Sequence, residues 1–303
     1  MKMKAPVVLF VYNRLDHTMN VIESLSKNIG AKETDLYVFS DAAKTEKGLD
    51  KVNEVREYIR KTDWRGNFQK VTVAEAEQNK GLAKSIIGGV TGILQEYGKV
   101  IVVEDDLVLS PYFLQYMNGA LEYYKDVENI WSISGYSFPM RSLKNYPHDV
   151  FYSYRGCSWG WATWIDRWEK TDWEVKDYPK LMSDKEWQKR FNRGGADLTG
   201  MLGMQMEGKI NSWAIRWVFA QSNLEMYTVY PKNSYILNDG CDGSGTHVGT
   251  TDEYATDIQS GALDCMFEEL SIEPKIAREF WYKYSDTLDK KIKRKLKKIF
   301  GKK

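Results

Sequence analysis

One run of nine residues, Lys-Val-Ile-Val-Val-Glu-Asp-Asp-Leu at 99–107, most restricts how this chain can fold. Its first half is an unbroken apolar stretch, which is typical of a strand buried on both faces of a parallel sheet. The three carboxylates that follow, Glu104, Asp105 and Asp106, cannot lie unpaired in an apolar core. We therefore predict that they lie at the carboxyl end of this strand, where open α/β sheets bind ligands. Because like charges this close repel, they favour a site for Mn²⁺ or Mg²⁺ and a diphosphate.

The residues before this run predict three further strands, each joined to the next by a helix. The predicted strands are 5–12, 35–40 and 68–74, and helical patterns lie between them and at 82–97. Alternating strands and helices imply right-handed crossovers, and so an α/β fold with a mostly parallel sheet flanked by helices. Asn13 and Arg14 follow the first strand, and Asp41 follows the second. Since parallel strands end at one edge of a sheet, we expect these side chains to converge with the acids.

Several of these residues are candidates for binding a nucleotide. Together, Asn13, Arg14 and Asp41 could hold a base and a ribose by hydrogen bonds, although each alone is also an ordinary turn former or helix cap. Asn79 to Gly81 form a predicted turn before the helix at 82–97. Lys84, one helical turn further on, could meet a phosphate or could face solvent.

The segment from Phe151 to Trp173 is dense in aromatic residues. Trp159 and Trp161 flank a glycine, which permits close approach, and their indoles are predicted to stack on a sugar. The alternative is a packed aromatic core. Asp166 in the same segment is either a general base or an ordinary ion-pair partner of a nearby arginine.

A glycine-rich polar loop runs from Asp239 to His247. Within this loop, the Asp242 carboxylate and the His247 imidazole are side chains that could take part in binding or catalysis. Such a loop could fold over a bound nucleotide, with His247 as a metal or phosphate ligand. The alternative is an ordinary loop without a ligand.

The charge and cysteine content limit the partners and the compartment. Residues 290–303 hold nine of the 43 Lys and Arg residues and no acid, which leaves 34 basic against 42 acidic residues elsewhere. This distribution argues against nucleic-acid binding. It favours an amphipathic helix over 288–303 that contacts an anionic membrane, and the alternative is an ordinary solvated terminal helix. The three cysteines form no CxxC motif, and no signal peptide or membrane span is evident. We expect a cytoplasmic protein that contacts the inner face of the membrane.

Several motifs resemble those of a known family. The first half, over 5–135, resembles the GT-A-fold glycosyltransferases in the order and spacing of Val7–Arg14, Phe39–Asp41, Asn79–Ala83 and Val102–Asp106. The Glu-Asp-Asp triplet is similar to that of the N-acetylglucosaminyltransferase I relatives. The second half, with its Trp-rich runs at 159–164 and 211–217, resembles bacterial polysaccharide sugar transferases.

The resemblance implies roles for the acids and for the second half. Asp106 would bind the metal, Asp105 would contact the ribose side of the nucleotide, and Glu104 would lie beside them. Asn13, Arg14 and Asp41 would surround the base. The aromatic-rich second half, including Trp213, would bind the acceptor.

The chain departs from the family pattern at one place. The animal enzymes carry two aspartates just after a Trp, and the second is the catalytic base, whereas Trp213 here is followed by Ala214 and Ile215. The base is therefore Asp242 or Asp166, or it is absent, as in a retaining mechanism.

Without a Pro-, Gly- or Ser-rich linker, the sequence predicts one GT-A-type domain over 1–273, with a nucleotide-binding half (1–135) and an acceptor-binding half (136–273), followed by a basic amphipathic helix (274–303). The expected activity is metal-dependent transfer of a sugar from a UDP-linked donor to a saccharide or lipid-linked acceptor in surface polysaccharide synthesis. One alternative is a sugar nucleotidyltransferase, which usually has a glycine-rich loop after its first strand. The other is a non-catalytic carbohydrate-binding protein, which needs the aromatic rings but not the acids.

Overall fold

The computed structural model describes residues 4–64, 66–240, 256–261 and 265–285. The strands are β1 Val7–Val11, β2 Asp35–Ser40, β3 Lys70–Glu75, β4 Lys99–Glu104, β5 Leu107–Leu109, β6 Ile130–Ser134, β7 Val150–Ser153, β8 Trp161–Trp164, β9 Tyr227–Pro231 and β10 Ile236–Asn238. The α-helices are α1 Leu15–Ser26, α2 Leu49–Lys61, α3 Leu82–Tyr97, α4 Phe113–Tyr123, α5 Ile165–Trp168, α6 Tyr178–Ser183, α7 Lys185–Phe191, α8 Leu198–Met206, α9 Trp213–Asn223 and α10 Pro274–Lys283.

The large sheet has the strand order β3-β2-β1-β4-β8-β6-β9-β7 among the described residues. Strands β1 to β4 run parallel, as the alternation of strands and helices predicts. Strand β8 lies antiparallel between β4 and β6, and β7 is antiparallel to β9. The predicted α/β fold with a mostly parallel sheet is therefore confirmed, with two antiparallel strands in its second half.

The central strands are buried on both faces because helices cover both sides of the sheet. Leu9 and Val103 point into a core formed with α1, α2 and α4. Val8 and Val102 point into a second core, which α3 forms with a group of tryptophans from the second half. This two-sided burial explains the unbroken apolar run of β4, and it leaves Glu104 at the point where the strand emerges from the core.

A short second sheet forms beside the acids. Strand β5 begins one residue after Asp106 and pairs antiparallel with β10, so that Leu107 lies opposite Asn238. The pairing brings the start of the glycine-rich loop against the end of β4, although more than a hundred residues separate the two in sequence.

The helix predicted from Pro274 is present as α10 up to Lys283, and residues 286–303 lie outside the described part of the chain. Ile276 and Phe280 of α10 are buried in the same core as β1 and α4. The predicted boundary at residue 273 is therefore not a boundary of the hydrophobic core. None of the helices in the described ranges is long and apolar enough to cross a membrane.

Candidate functional site

A cleft of about 1960 Å³ opens at the carboxyl ends of β1, β2 and β4. Its lining confirms the predicted convergence of polar side chains from separate strands. The predicted nucleotide-binding and acid residues that line it are Asn13, Arg14, Asp41, Asn79, Gly81, Lys84, Glu104, Asp105 and Asp106. Parallel strands direct their ends to one edge of the sheet, and this geometry brings the residues together.

Arg14 lies directly on the acid cluster. Its Nη2 donates hydrogen bonds to Asp105 Oδ1 and, at 3.0 Å, to Asp106 Oδ2. Among the described residues, Arg14 Nη1 and Asp105 Oδ2 are buried and have no hydrogen-bond partner. The arginine thus neutralises part of the cluster but leaves one donor and one acceptor of this ion pair unsatisfied.

The electrostatics of the cluster show that one arginine does not balance three carboxylates. Burial raises the pKa of Glu104 well above its ordinary value, and the neighbouring charges of Asp106 and Asp105 raise it further, against the opposing effect of Arg14. Burial also raises the pKa of Asp105, although its contacts with Arg14 act in the opposite direction. The cluster is therefore short of positive charge.

The residues present fit a cation that also binds a diphosphate. Among the described residues, no group of three or more His, Cys, Asp or Glu side chains is placed to hold a metal ion. Mg²⁺ needs only one or two protein carboxylates when phosphate and water oxygens complete its shell. Asp106 can be such a ligand, and the unsatisfied Asp105 Oδ2 is consistent with a cation nearby.

The chain after β10 lies against Asp106. The backbone N–H of Asp239 donates to the backbone oxygen of Asp106 at 2.8 Å, and Asp239 Oδ2 is 3.6 Å from His17 Nδ1. A Cβ atom at Gly240 would lie only 2.5 Å from Asp106 Oδ2. Asp239 and Gly240, at the start of the glycine-rich segment, therefore lie beside the acids. The predicted roles of Asp242 and His247 fall outside the described residues.

Asp41 shapes the cleft rather than facing into it with a free carboxylate. Its Oδ1 accepts hydrogen bonds from the backbone N–H groups of Ala42 and Lys80. Its Oδ2 accepts from the Gly81 N–H and from Asn79 Nδ2. Because a carboxylate has about four acceptor positions, these bonds use its capacity. Asp41 therefore has a structural role in the turn, and its contact with a base stays a prediction.

This turn places the amino-terminal end of α3 in the cleft. Gly81 has a positive φ of 72°, which suits glycine, and it precedes the first residue of the helix. Lys84 is exposed in the first turn and lines the cleft. The unpaired N–H groups and the dipole of a helix start attract anions, and Lys84 adds a positive charge to this end of the cleft.

Two of the three predicted acceptor-binding tryptophans line the cleft. Trp159 is partly buried and packs edge-on against Tyr136, with the ring centroids 4.7 Å apart. Trp213 is only 3% exposed, so it offers the cleft an edge rather than a free face. Trp159 is therefore the better candidate for stacking on a ligand.

Trp161 is a core residue, contrary to its predicted role. It is fully buried and stacks on Trp213 with the ring centroids 4.9 Å apart. A Cβ atom at Gly160 would lie 2.0 Å from Ile236 Cδ1, so this glycine permits close packing inside the protein and not the approach of a ligand. Side chains alternate between the two faces of β8, and Trp161 lies on the face that packs in the second core. The sequence predicts this alternation but not which face of the strand meets that core.

The structure also contradicts Asp166 as a catalytic base. Strand β8 runs antiparallel to β4, so Trp164 lies opposite Lys99 at the edge of the sheet away from the acids. Asp166 follows at that edge, is 53% exposed and hydrogen-bonds Arg167. Its ion-pair role is therefore the correct alternative.

Sequence reasoning missed a partly buried ion pair in the wall of the cleft. Arg155 donates to both carboxylate oxygens of Asp197, at 2.8 and 2.9 Å, and its guanidinium lies 3.9 Å from the centre of the Tyr284 ring. Burial lowers the pKa of Arg155, but Asp197 raises it more, so the net shift is upward. Arg155, Asp197 and Tyr284 are far apart in the sequence, and no motif predicts that they are in contact. The one indication in the sequence was an arginine within the aromatic segment.

The fold and the cleft define an α/β protein with a large cleft at the carboxyl ends of its parallel strands. No known family pattern and no curated protein matches the sequence. Similar solved structures include residues 1–349 of S. aureus TarS, with 13% identity and a TM-score of 0.42, where the match covers 83% of this chain and 61% of that one. A second S. aureus TarS structure has 12% identity and a TM-score of 0.42, and the match covers 77% of this chain and 36% of that one.

Proposed function

We propose that this protein is a glycosyltransferase that uses a UDP-linked sugar donor and a saccharide or lipid-linked acceptor in surface polysaccharide synthesis. The observation that carries the proposal is the acid cluster with its one arginine at the end of a large cleft. Among the described residues, Asp105 Oδ2 and Arg14 Nη1 are buried and have no hydrogen-bond partner. A nucleoside diphosphate with its cation supplies both a positive charge and anionic oxygens.

The proposed cation is Mn²⁺ or Mg²⁺, with Asp106 as a ligand and His247, outside the described residues, as a second. When bound, it stabilises the negative charge that develops on the diphosphate leaving group. Arg14 holds the carboxylates of Asp105 and Asp106 in position by its hydrogen bonds. Lys84 lies in the first turn of α3, where its ammonium group and the partial positive charge of the helix start both attract the phosphates.

The remaining contacts to the donor come from the ends of β1 and β2. Asn13 lines the cleft one residue before Arg14 and is the proposed hydrogen-bonding partner of the base or ribose. Asp41 acts indirectly, because its hydrogen bonds hold the turn at Asn79–Gly81 in place.

The acceptor is proposed to lie on the side of the cleft formed by the second half, with its sugar ring on Trp159. An inverting reaction needs a carboxylate that deprotonates the acceptor hydroxyl. Asp242, two positions after Gly240, is the proposed base and lies outside the described residues. Full activity of Asp242→Asn would contradict Asp242 as the base, and the anomeric configuration of the product would distinguish an inverting from a retaining reaction. Contact of residues 288–303 with an anionic membrane is part of the same proposal.

Calorimetry with UDP, in the presence and absence of Mn²⁺, tests the donor site. We expect metal-dependent binding that Asp106→Asn weakens about 100-fold, since this change removes a charged metal ligand. The matched control is Asp166→Asn, which makes the same chemical change at the opposite edge of the sheet and should leave UDP affinity unaltered.

Equal UDP affinity in Asp106→Asn and in the unaltered protein would contradict the proposed site. Release of UDP from a panel of UDP-sugars with Mn²⁺ supports a glycosyltransferase. Release of pyrophosphate from UTP and a sugar phosphate would indicate a nucleotidyltransferase instead, and saccharide binding without any UDP binding would indicate a carbohydrate-binding protein.

A further inference from the structure

A second, smaller cavity of about 590 Å³ lies outside the cleft. We call it the basic pocket, and its lining includes Tyr154, Lys185, Gln188, Lys189, Arg193 and Trp281. Three of these side chains are cations, and within the described ranges of the chain no carboxylate lines the pocket. A cavity with this lining favours an anion.

The cations of the basic pocket are largely unneutralised. Neither Lys185 nor Arg193 has a carboxylate partner in the part of the chain that the structure describes. Lys189 lies 3.9 Å from Glu186, but both side chains are highly exposed, and such pairs contribute little. The pocket therefore keeps a net positive charge that a ligand could balance.

Two of the cations are positioned by neighbouring groups. Lys185 Nζ donates to Gln188 Oε1 at 3.3 Å, and the amide of Gln188 is held by the carbonyl oxygens of Leu181 and Met182. The guanidinium of Arg193 lies 4.2 Å from the centre of the Tyr154 ring. Stacking on the ring restricts the guanidinium, so less conformational entropy is lost when it binds an anion.

The same pocket offers aromatic surface. Trp281 is 37% exposed, which leaves part of its indole available, and the lining also includes Tyr154. Aromatic rings next to cations suit a sugar ring that carries a negative group, since the C–H face of the sugar packs on the ring and the anion meets the cations. A bare phosphate or a lipid headgroup would not use the indole.

The basic pocket and the cleft share a wall. At three places along the chain, one residue lines the pocket and a near neighbour lines the cleft. The pairs are Tyr154 and Arg155, Ala196 and Asp197, and Trp281 and Tyr284. The wall is tightly built, because a Cβ atom at Gly195, whose φ is +148°, would approach Arg155, Asp197 and Tyr284 within 2.8 Å.

We propose that the basic pocket binds an anionic saccharide, namely a sugar residue bearing a carboxylate or a phosphate. As the pocket is adjacent to the cleft, the saccharide is a more distant part of the acceptor chain whose end lies in the cleft. This acceptor role depends on the proposed glycosyltransferase function, whereas binding in the pocket does not.

Binding of defined saccharides to the full chain tests the proposal. Calorimetry with hexagalacturonate and with glucose 6-phosphate measures the two kinds of anion, and maltohexaose is the neutral comparison. We expect at least one anionic probe to bind at least about tenfold more tightly than maltohexaose, which is the difference expected from a charge-assisted contact. Its affinity should fall as salt is added, because exposed charges are screened.

Matched variants locate the binding. Lys185→Gln/Lys189→Gln should weaken the anionic probe about tenfold. Lys27→Gln/Lys61→Gln removes the same charge from two exposed positions, directly after α1 and at the end of α2, and should have no effect. Trp281→Ala should weaken saccharide binding, and Tyr282→Ala, a similarly exposed ring on the same helix, should not.

Several results would overturn the proposal. These are equal losses in both lysine pairs, equal affinity for maltohexaose, no binding of either anionic saccharide, or binding of inorganic phosphate as tight as that of the saccharides. Binding of phosphatidylglycerol vesicles that depends on Lys185 and Lys189, without saccharide binding, would identify a membrane contact instead. UDP binding with Mn²⁺ is measured in the same variants and should be unchanged. Its failure in the unaltered protein would contradict the proposed function alone.

Discussion

Trp159 and Trp161 are two positions apart, yet they lie in different environments. Trp159 lines the cleft, while Trp161 is fully buried among the tryptophans of α5 and α9. The sequence shows both indoles beside a glycine but does not show which way β8 faces. The structure places one ring at the cleft and the other in the core.

These two residues should respond differently to substitution. Trp161→Phe should lower the free energy of unfolding by about 2 kcal/mol, because the smaller ring leaves a cavity, while UDP affinity stays the same. Trp159→Ala should raise the KM for the acceptor with a smaller loss of stability. Denaturant unfolding and acceptor kinetics measure the two effects. A raised acceptor KM without lost stability in Trp161→Phe would contradict the core assignment.

At the scale of elements, the pairing of β5 with β10 determines what lies beside the acids. The two short strands bring Asp239 and Gly240 to Asp106, although the chain between them passes through most of the second half. Gly240 is required there because any side chain would meet the Asp106 carboxylate. The β5–β10 pair therefore links the acid cluster, which is the proposed donor site, to the segment of the chain that continues to Asp242 and His247.

Gly240→Ala should disturb this arrangement. The added Cβ atom would lie 2.5 Å from Asp106 Oδ2, so the carboxylate or the backbone must move. We expect UDP affinity in the presence of Mn²⁺ to fall about tenfold, with a stability loss of about 1–3 kcal/mol. Gly200→Ala in α8 is the control, because a Cβ there meets nothing within 4 Å and alanine favours the helix. Unchanged UDP affinity in Gly240→Ala would argue against the proposal that Asp106 binds the cation of the sugar-nucleotide donor.

At the scale of the whole molecule, α10 connects the end of the described chain to the middle of the sequence. Phe280 packs on Phe138 and Tyr230, with ring centroids 5.1 and 5.3 Å apart. Glu279 accepts hydrogen bonds from the backbone N–H groups of Arg141 and Ser142, each at 2.8 Å. Helix α10 is therefore held both by apolar packing and by the hydrogen bonds that the Glu279 carboxylate accepts from the backbone of Arg141 and Ser142.

The pH dependence of stability tests this connection. Burial tends to raise the pKa of Glu279, but the hydrogen bonds from Ser142 and Arg141 outweigh it, so the pKa is lowered from its ordinary 4.5. A lowered folded-state pKa gives stability that is present above the unfolded-state pKa and is lost as the pH falls through the folded-state value. Glu279→Gln should therefore cost about 1 kcal/mol at pH 7, a modest value because the group is partly exposed.

This difference between Glu279→Gln and the unaltered protein should shrink below pH 4.5, as the carboxylate becomes protonated in the unaltered protein. Denaturant unfolding at pH 7 and at pH 4 measures it. Glu128→Gln, at an exposed position, is the matched control. A difference that stays constant with pH would show that the charge of Glu279 does not hold the helix.

The sequence alone determined the character of the elements and the place of the acids. The apolar run of β4 and the periodicity of α2 and α3 are local patterns, and burial or amphipathicity follows from them directly. The convergence of Asn13, Asp41 and the acids also followed, because parallel strands share one edge. The tertiary structure decided contacts between distant residues. Arg14 meets Asp105 across 91 positions, and β8 turns antiparallel, which removes Asp166 from the site and buries Trp161. Local propensity does not specify which distant surfaces pack together, so strand order and side-chain partners required the folded chain.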